Sequence, residues 1–222
     1  GSLRVRQNIM LGTGLASVAS GDDPLRCAAG DSPDAEYLSA LDPATDATAM
    51  ALARIRQLSA HEVGHTLGFT HNFAASTYGR GSVMDYPPVN IAVNGEAQGA
   101  YFEPTIGPYD YWAIEYAYRQ LPRQTENDEL ARIAERGATD PLLAFSSDEE
   151  AIAGLDPDAS RFDLGSDPLL YLRKRLVLSW ELWQRLQAKT LKPGESYDVL
   201  RRSFDAGFRQ IRRAAAQTAK YV

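Results

Sequence analysis

The stretch HEVGHTLGFTHNF, residues 61 to 73, holds every histidine of the chain within eleven positions: His61, His65 and His71. His61 and His65 are four residues apart, so on a helix both imidazoles leave one face and can approach a single metal ion. His71 is the constraint. If the helix continued, His71 would be rotated by about 240° from His65 and displaced about 9 Å along the axis, out of reach of that ion. The chain must therefore break between them. Gly68 is placed to do this, because a residue without Cβ takes the left-handed conformation that ends a helix and turns the chain back.

Glu62, between the two helical histidines, is the candidate general base. Zinc wants about four ligands with Zn–N near 2.0 Å, and a catalytic site keeps one position for water. Three histidines and a water meet that count. The competing reading is histidines exposed or core-packed at a helix end, and a bare H-E-x-x-H arises often enough by chance. Here the same eleven residues supply two ligands, a base, a helix breaker and a third ligand, which favours the metal.

The rest of the chain predicts a mainly α fold. Val5, Ile9 and Met10 suggest a short helix, and the stretch from Ser20 to Thr45, with Pro24, Pro33, Pro43 and several aspartates, has loop composition. From Asp46, a candidate N-cap, a long helix runs without Gly or Pro to Val63 and carries the first two histidines. A small β-hairpin is expected around Asn94-Gly95. YDYWAIEYAYRQL reads as a helix, TENDELARIAERG as a short helix closed by Gly137, and Asp140 to Gly165 as mostly loop. Two longer helices follow. Asp167 caps Pro168 in the first, where Leu169, Leu172, Leu176, Trp180, Trp183 and Leu186 recur at helical spacing. Tyr197, Leu200, Phe204, Phe208 and Ile211 line one face of the second, and the two stripes suggest a packed helical hairpin.

A net charge of −6 and a pI near 5.1 argue against nucleic acid and anionic membranes as partners. Apolar runs are interrupted well before the roughly 20 residues that a transmembrane helix needs. The single cysteine, Cys27, excludes an internal disulfide framework. The Gly-Ser start and abrupt end read as a piece excised from a longer protein, organised as a single unit over 1–222 with an N-terminal part (1–73) and a C-terminal part (74–222).

The H-E-x-x-H-x-x-G-x-x-H stretch resembles the zinc signature of the metzincin metallopeptidases. Downstream, SVMDYPP places Ser82, Met84 and Tyr86 in the S-x-M-x-Y form of that clan's methionine turn seen in astacin-like and serralysin-like members. GSLRVRQN, MALARIRQLSAHEVGHTLGFTHNFAASTYGRGSVMDYP, IGPYDYWAIEYAY and LGSDPLLYL resemble, more closely, the Met-zincin domain of large bacterial zinc-dependent metalloproteases. The resemblance implies a Zn2+ ion on His61, His65 and His71, a hydrophobic floor from Met84, and a Tyr86 near the metal that helps stabilise the tetrahedral intermediate. It also implies a peptide or protein substrate, flanking domains in the parent chain, and an exported parent protein, whether periplasmic, envelope-associated or secreted. Metzincins place a sheet before the zinc helix; residues 1–45 lack the alternation to build one, so it is expected upstream. Asn72 departs from the acidic residue, serine or proline that several families place after the third ligand.

The expected activity is therefore a zinc-dependent endopeptidase, with a metal-bound water as nucleophile, Glu62 as general base and Tyr86 donating to the oxyanion. The rival from another class is a non-catalytic, metal-retaining binding or scaffolding domain of a larger envelope protein, which has no need of the Glu62 base. A third reading, gluzincin-like, makes Glu115 the third ligand. Tyr109, Tyr111, Trp112, Tyr116 and Tyr118 crowd one helix as core packing or a substrate wall. Arg201, Arg202, Arg209, Arg212 and Arg213 read as a solvated face or a contact for a flanking domain. Asp22, Asp23, Asp31 and Asp34 lack calcium-loop spacing.

Overall fold

The computed structural model describes residues 47–88, 102, 105–153, 156–161, 163–188, 191, 193–194 and 196–221. The short helix at Val5–Met10, the Ser20–Thr45 stretch, Asp46 and the Asn94-Gly95 hairpin lie outside them. The described chain is mainly α and contains no strand. Its helices are α1 (Ala47–Thr66), α2 (Pro108–Tyr118), α3 (Glu126–Thr139), α4 (Asp148–Ala153), α5 (Pro168–Ala188) and α6 (Asp198–Thr218), with short 3-10 turns at Ala75–Tyr78, Pro141–Leu143 and Ala219–Tyr221. None of these helices is long and apolar enough to cross a membrane.

Helix α1 buries Gln57, Leu58, His61 and Gly64, a spacing of three and four that puts all of them on one face. Its opposite face, with Arg56, Ser59 and Val63, is exposed. Helix α2 opens with Pro108 at its first turn, where a missing N–H costs nothing.

Gly137 does not close α3: the helix runs on to Thr139. A Cβ built on Gly137 would lie 2.4 Å from the Trp112 ring, so its lack of a side chain serves packing. The Trp112 indole rests there and donates its Nε1–H to the Ile133 carbonyl at 2.7 Å.

The segment expected as loop after Asp140 contains α4. Ser147 and Glu150 form a capping pair, the Glu150 carboxylate accepting the Ser147 backbone N–H at 2.5 Å and its hydroxyl at 2.6 Å. The S-x-x-E spacing that marks such a start is present in the sequence.

The α5–α6 hairpin forms, and the apolar stripes expected for it contribute only in part: Trp183 and Leu186 pack against Leu178 and Leu182, and Leu172, Leu200 and Ile211 are half-buried. Tyr171, Arg175, Leu178, Ser179 and Leu182 of α5 are buried, as are Ala206, Gln210, Ala214 and Gln217 of α6. Leu169, Leu176, Trp180, Tyr197, Phe204 and Phe208 are exposed. Small residues let the backbones approach until Ser179 Oγ donates to the Gly207 carbonyl at 3.0 Å and Trp183 Nε1 to that of Phe204 at 3.2 Å. The remaining bulky members of the stripes lie on the flanks. Asp167 caps α5 as expected, accepting from Leu169 N and Leu170 N at 2.9 and 3.0 Å. On α6, Arg201, Arg209, Arg212 and Arg213 are exposed.

Residues 156–161 and 163–165 tie the hairpin to the rest of the described chain, with the Gly165 N–H on the Ser76 carbonyl at 2.9 Å and Lys220 Nζ on the Ala159 carbonyl at 2.8 Å. Burial pushes the Asp163 carboxyl from 3.8 up to about 7, and pushes that of Asp85 well above its ordinary range. Both bind a proton more tightly folded than unfolded, so their contribution is complete below about pH 4 and is lost as pH rises through the folded values. Wild-type protein is therefore expected to unfold at a lower temperature at pH 8 than at pH 5, and Asp163→Asn to shrink that difference. An unchanged pH profile in the variant would show that Asp163 is not the group responsible.

Candidate metal centre

Helix α1 ends by a defined hydrogen-bond pattern. The Phe69 N–H bonds to the Gly64 carbonyl at 3.1 Å and the Gly68 N–H to that of His65 at 3.0 Å, with Gly68 at φ 90°. This is a Schellman turn with glycine in its left-handed position. Nothing lies within 4 Å of a Cβ built there, so the demand for glycine is conformational and not steric. From the α2 side, the Tyr118 hydroxyl donates to the Leu67 carbonyl at 2.7 Å. Tyr118, like Tyr111 and Tyr116, is exposed, whereas Tyr109 is buried; the tyrosines of α2 are thus not a common core.

The reversal brings the three imidazoles together. Ring centroids are 4.6 Å apart for His61 and His65, 4.8 Å for His65 and His71, and 5.2 Å for His61 and His71. One ligating nitrogen from each lies within 4.8 Å of the others. In every ring Nδ1 faces an acceptor: the Val83 carbonyl at 2.6 Å for His61, the Phe69 carbonyl at 2.8 Å for His65, and Asp148 Oδ2 at 2.5 Å for His71. A carbonyl or carboxylate cannot donate, so each Nδ1 carries a proton, and in the neutral ring the lone pair is then on Nε2.

The resulting donors fit a metal. His61 Nε2 is buried without a hydrogen-bond partner, a cost that coordination removes. Burial pulls the His61 pKa down to about 4 against the opposing pull of the Val83 carbonyl, so the ring is neutral near pH 7. Three imidazoles so arranged suit a tetrahedral site with one open position. His61, His65 and His71 could hold a metal ion.

The turn from Ser82 to Tyr86 is held against α1 and α2. Asp110 of α2, buried, accepts from Ser82 Oγ at 2.6 Å, Val83 N at 2.9 Å and Gly107 N at 2.6 Å. Burial pushes its carboxyl up, and the three donors pull it back. Ser82 Oγ in turn accepts the Met84 N–H at 2.9 Å. Met84 is 1% exposed, and a Cβ on Gly64 would come within 2.3 Å of its sulfur. Gly64, the first glycine of HEVGHTLG, is therefore the seat of the methionine, a function that spacing alone did not reveal. Tyr86 stacks on His61 with centroids 4.9 Å apart and its hydroxyl donates to His71 Nε2 at 2.8 Å.

Asn72, the departure noted after the third histidine, is completely buried. Its Oδ1 accepts from Ala74 N at 3.2 Å and Ser146 N at 3.1 Å, and its Nδ2 donates to the Ala144 carbonyl at 3.0 Å. An amide, with donors and acceptor on one group, can fasten both sides of this loop where a carboxylate cannot. Asp148, the partner of His71, was not anticipated; only the capping spacing at Ser147 pointed to an ordered element there.

Glu62 is half-buried on α1, close enough to His61 to favour that ring's cation. Glu115 lies outside the three-histidine group. It pairs with Arg119 at 2.7 Å and with Arg136 of α3, and the Arg136 guanidinium, followed by that of Arg119, holds its carboxyl below the usual range.

A family model described as Met-zincin matches residues 43–222 of the chain. No curated protein and no solved structure matches it.

Proposed function

Because the chain belongs to the Met-zincin family, we propose that it is a zinc-dependent endopeptidase with His61, His65 and His71 as metal ligands, Glu62 as general base and Tyr86 as an oxyanion donor. The observation that carries this reading is the grouping of the three rings with every Nδ1 engaged by an acceptor. In the neutral rings this puts the lone pairs on Nε2, that of His71 being freed for an ion when the Tyr86 hydroxyl turns away. Zinc bound there supplies a Lewis acid and lowers the pKa of a coordinated water to about 7.

The residues then divide the work. Glu62 accepts a proton from the attacking water and passes it to the leaving amine. Tyr86, whose hydroxyl now donates to His71 Nε2, has its O–H at the ligand cluster, where it can donate to the oxygen on which charge develops. Met84 and Gly64 seat α1 on the Ser82–Tyr86 turn, and the Gly68 turn delivers His71. The substrate on this reading is a peptide or protein, presented by the whole parent chain, which the sequence resemblance makes an exported protein with flanking domains. Residues 1–222 act as one unit.

Two measurements test the reading. Metal analysis of the purified chain is expected to give stoichiometric zinc in wild type and Glu115→Ala and to lose it in His71→Ala; the reverse pattern would reassign the third ligand to Glu115. A peptide-library assay separates the peptidase from the metal-retaining binding domain, which would hold zinc and cleave nothing even in the longer parent chain.

A further inference from the structure

The three histidines are anchored in two different ways. His61 and His65 give their Nδ1–H to main-chain carbonyls, which no side-chain substitution removes. His71 alone gives it to a carboxylate, Asp148 Oδ2, 77 residues further along the chain. A carboxylate on the far nitrogen raises the basicity of the metal-facing one and fixes the ring's orientation, and removing such a partner typically costs 10- to 100-fold in metal affinity.

Asp148 is itself held from two sides. Towards the site, Phe73 N donates to the Ser146 carbonyl at 2.8 Å and Ser146 N donates to Asn72 Oδ1 at 3.1 Å, so the residues just before Asp148 are tied to those just after His71. Away from it, Arg161 lies 3.7 Å from Asp148 Oδ1 and its guanidinium stands 5.2 Å over the Phe73 ring, which stacks on His71 at 5.1 Å. A half-exposed pair at that distance contributes little energy; Arg161 works by orienting the carboxylate. The Arg161 carbonyl accepts from Gln217 Nε2 at 2.8 Å, and Gln217 lies in the last turn of α6.

We propose that Asp148 is the positioning residue of the metal site, and that the C-terminal helical hairpin, through Gln217 and Arg161, sets how firmly His71 holds the ion. This rests on the reading of His71 as the third ligand. Its consequence is that a partner or flanking segment engaging the hairpin can tune metal occupancy without touching the histidines.

The test uses the full chain, stripped of metal and titrated with zinc against a chromophoric chelator, and then loaded with cobalt(II) for its visible spectrum. Asp148→Asn is expected to weaken zinc by about 10- to 100-fold, because an amide can turn its NH2 to Nδ1 and drive the ring proton onto Nε2. The cobalt bands are expected to shift, and Asp148→Glu to recover part of the affinity. Gln217→Leu is expected to weaken zinc by about 2- to 30-fold, while exposed Tyr111→Phe leaves both readouts unchanged. Zinc affinity within twofold of wild type and an unaltered cobalt spectrum in Asp148→Asn would overturn the role of Asp148; unchanged affinity in Gln217→Leu would overturn that of the hairpin. If Asp148→Asn does not fold, Asp148→Ser takes its place, and zinc affinity within twofold of wild type with an unaltered cobalt spectrum in that variant overturns the proposal instead. Wild type that binds zinc no more tightly than His71→Ala would mean that the three-histidine reading itself has failed.

Discussion

Glu62→Ala is expected to slow peptide hydrolysis by about 10²- to 10⁴-fold, the usual contribution of a positioned general base, which corresponds to about 3–5 kcal/mol of transition-state stabilisation. Zinc content is expected to stay at the wild-type level. The separation follows from geometry: the Nδ1 anchors of the three histidines are Val83, Phe69 and Asp148, and none involves Glu62. On α1 each residue is rotated by about 100° from the last, so Glu62 leaves the helix in a different direction from the neighbouring His61, as a base beside the ligands requires. Cleavage of a peptide library and metal analysis on the same preparations decide it. If wild type and Glu62→Ala cleave equally, with or without a chelator, the mechanism is wrong; if the variant also loses zinc, Glu62 is acting on the ligands and not on water.

The second large effect concerns Gly64 and Met84. A methyl at Gly64 would approach the Met84 sulfur to 2.3 Å, and Met84 is 1% exposed, so the thioether has little free space into which to swing. Gly64→Ala is expected to destabilise the fold by about 1–3 kcal/mol through overpacking, despite alanine's better helix propensity. Met84→Ala is expected to cost about 2–5 kcal/mol through the cavity it leaves. The double variant places the new methyl in that cavity, so its cost is expected to fall short of the sum by about 0.5–3 kcal/mol. Chemical denaturation of the four proteins measures this. Strict additivity would mean that the two residues do not touch, and that the turn is not seated on α1 as described.

Much of the centre was legible because its constraints are local. The four-residue spacing of His61 and His65 determines a shared face, and Gly68 marks the only place where the chain can turn in time to return His71. Asp167 announces the start of α5 in the same local way. Where legibility failed, the deciding contact came from a distant part of the chain. Gly137 resembles a helix terminator until Trp112, on another helix, is seen to need its space. Of the stripes of α5 and α6, Trp183 and Leu186 pack on the hairpin core while Trp180, Phe204 and Phe208 stay exposed. Periodicity states only that a face is apolar and not which of its members are covered when small residues allow a closer approach.

The sequence by itself determined which three histidines come together, the break that returns His71 to the other two and the helical character of the chain, because each depends on backbone geometry over about eleven residues or fewer. Only the tertiary structure decided which nitrogen each histidine presents. That choice is made by Val83, Phe69 and Asp148, and two of these three lie well outside the histidine segment. A proton on Nδ1 is placed by whatever acceptor the fold brings up to it, and no spacing rule encodes an acceptor 77 residues away.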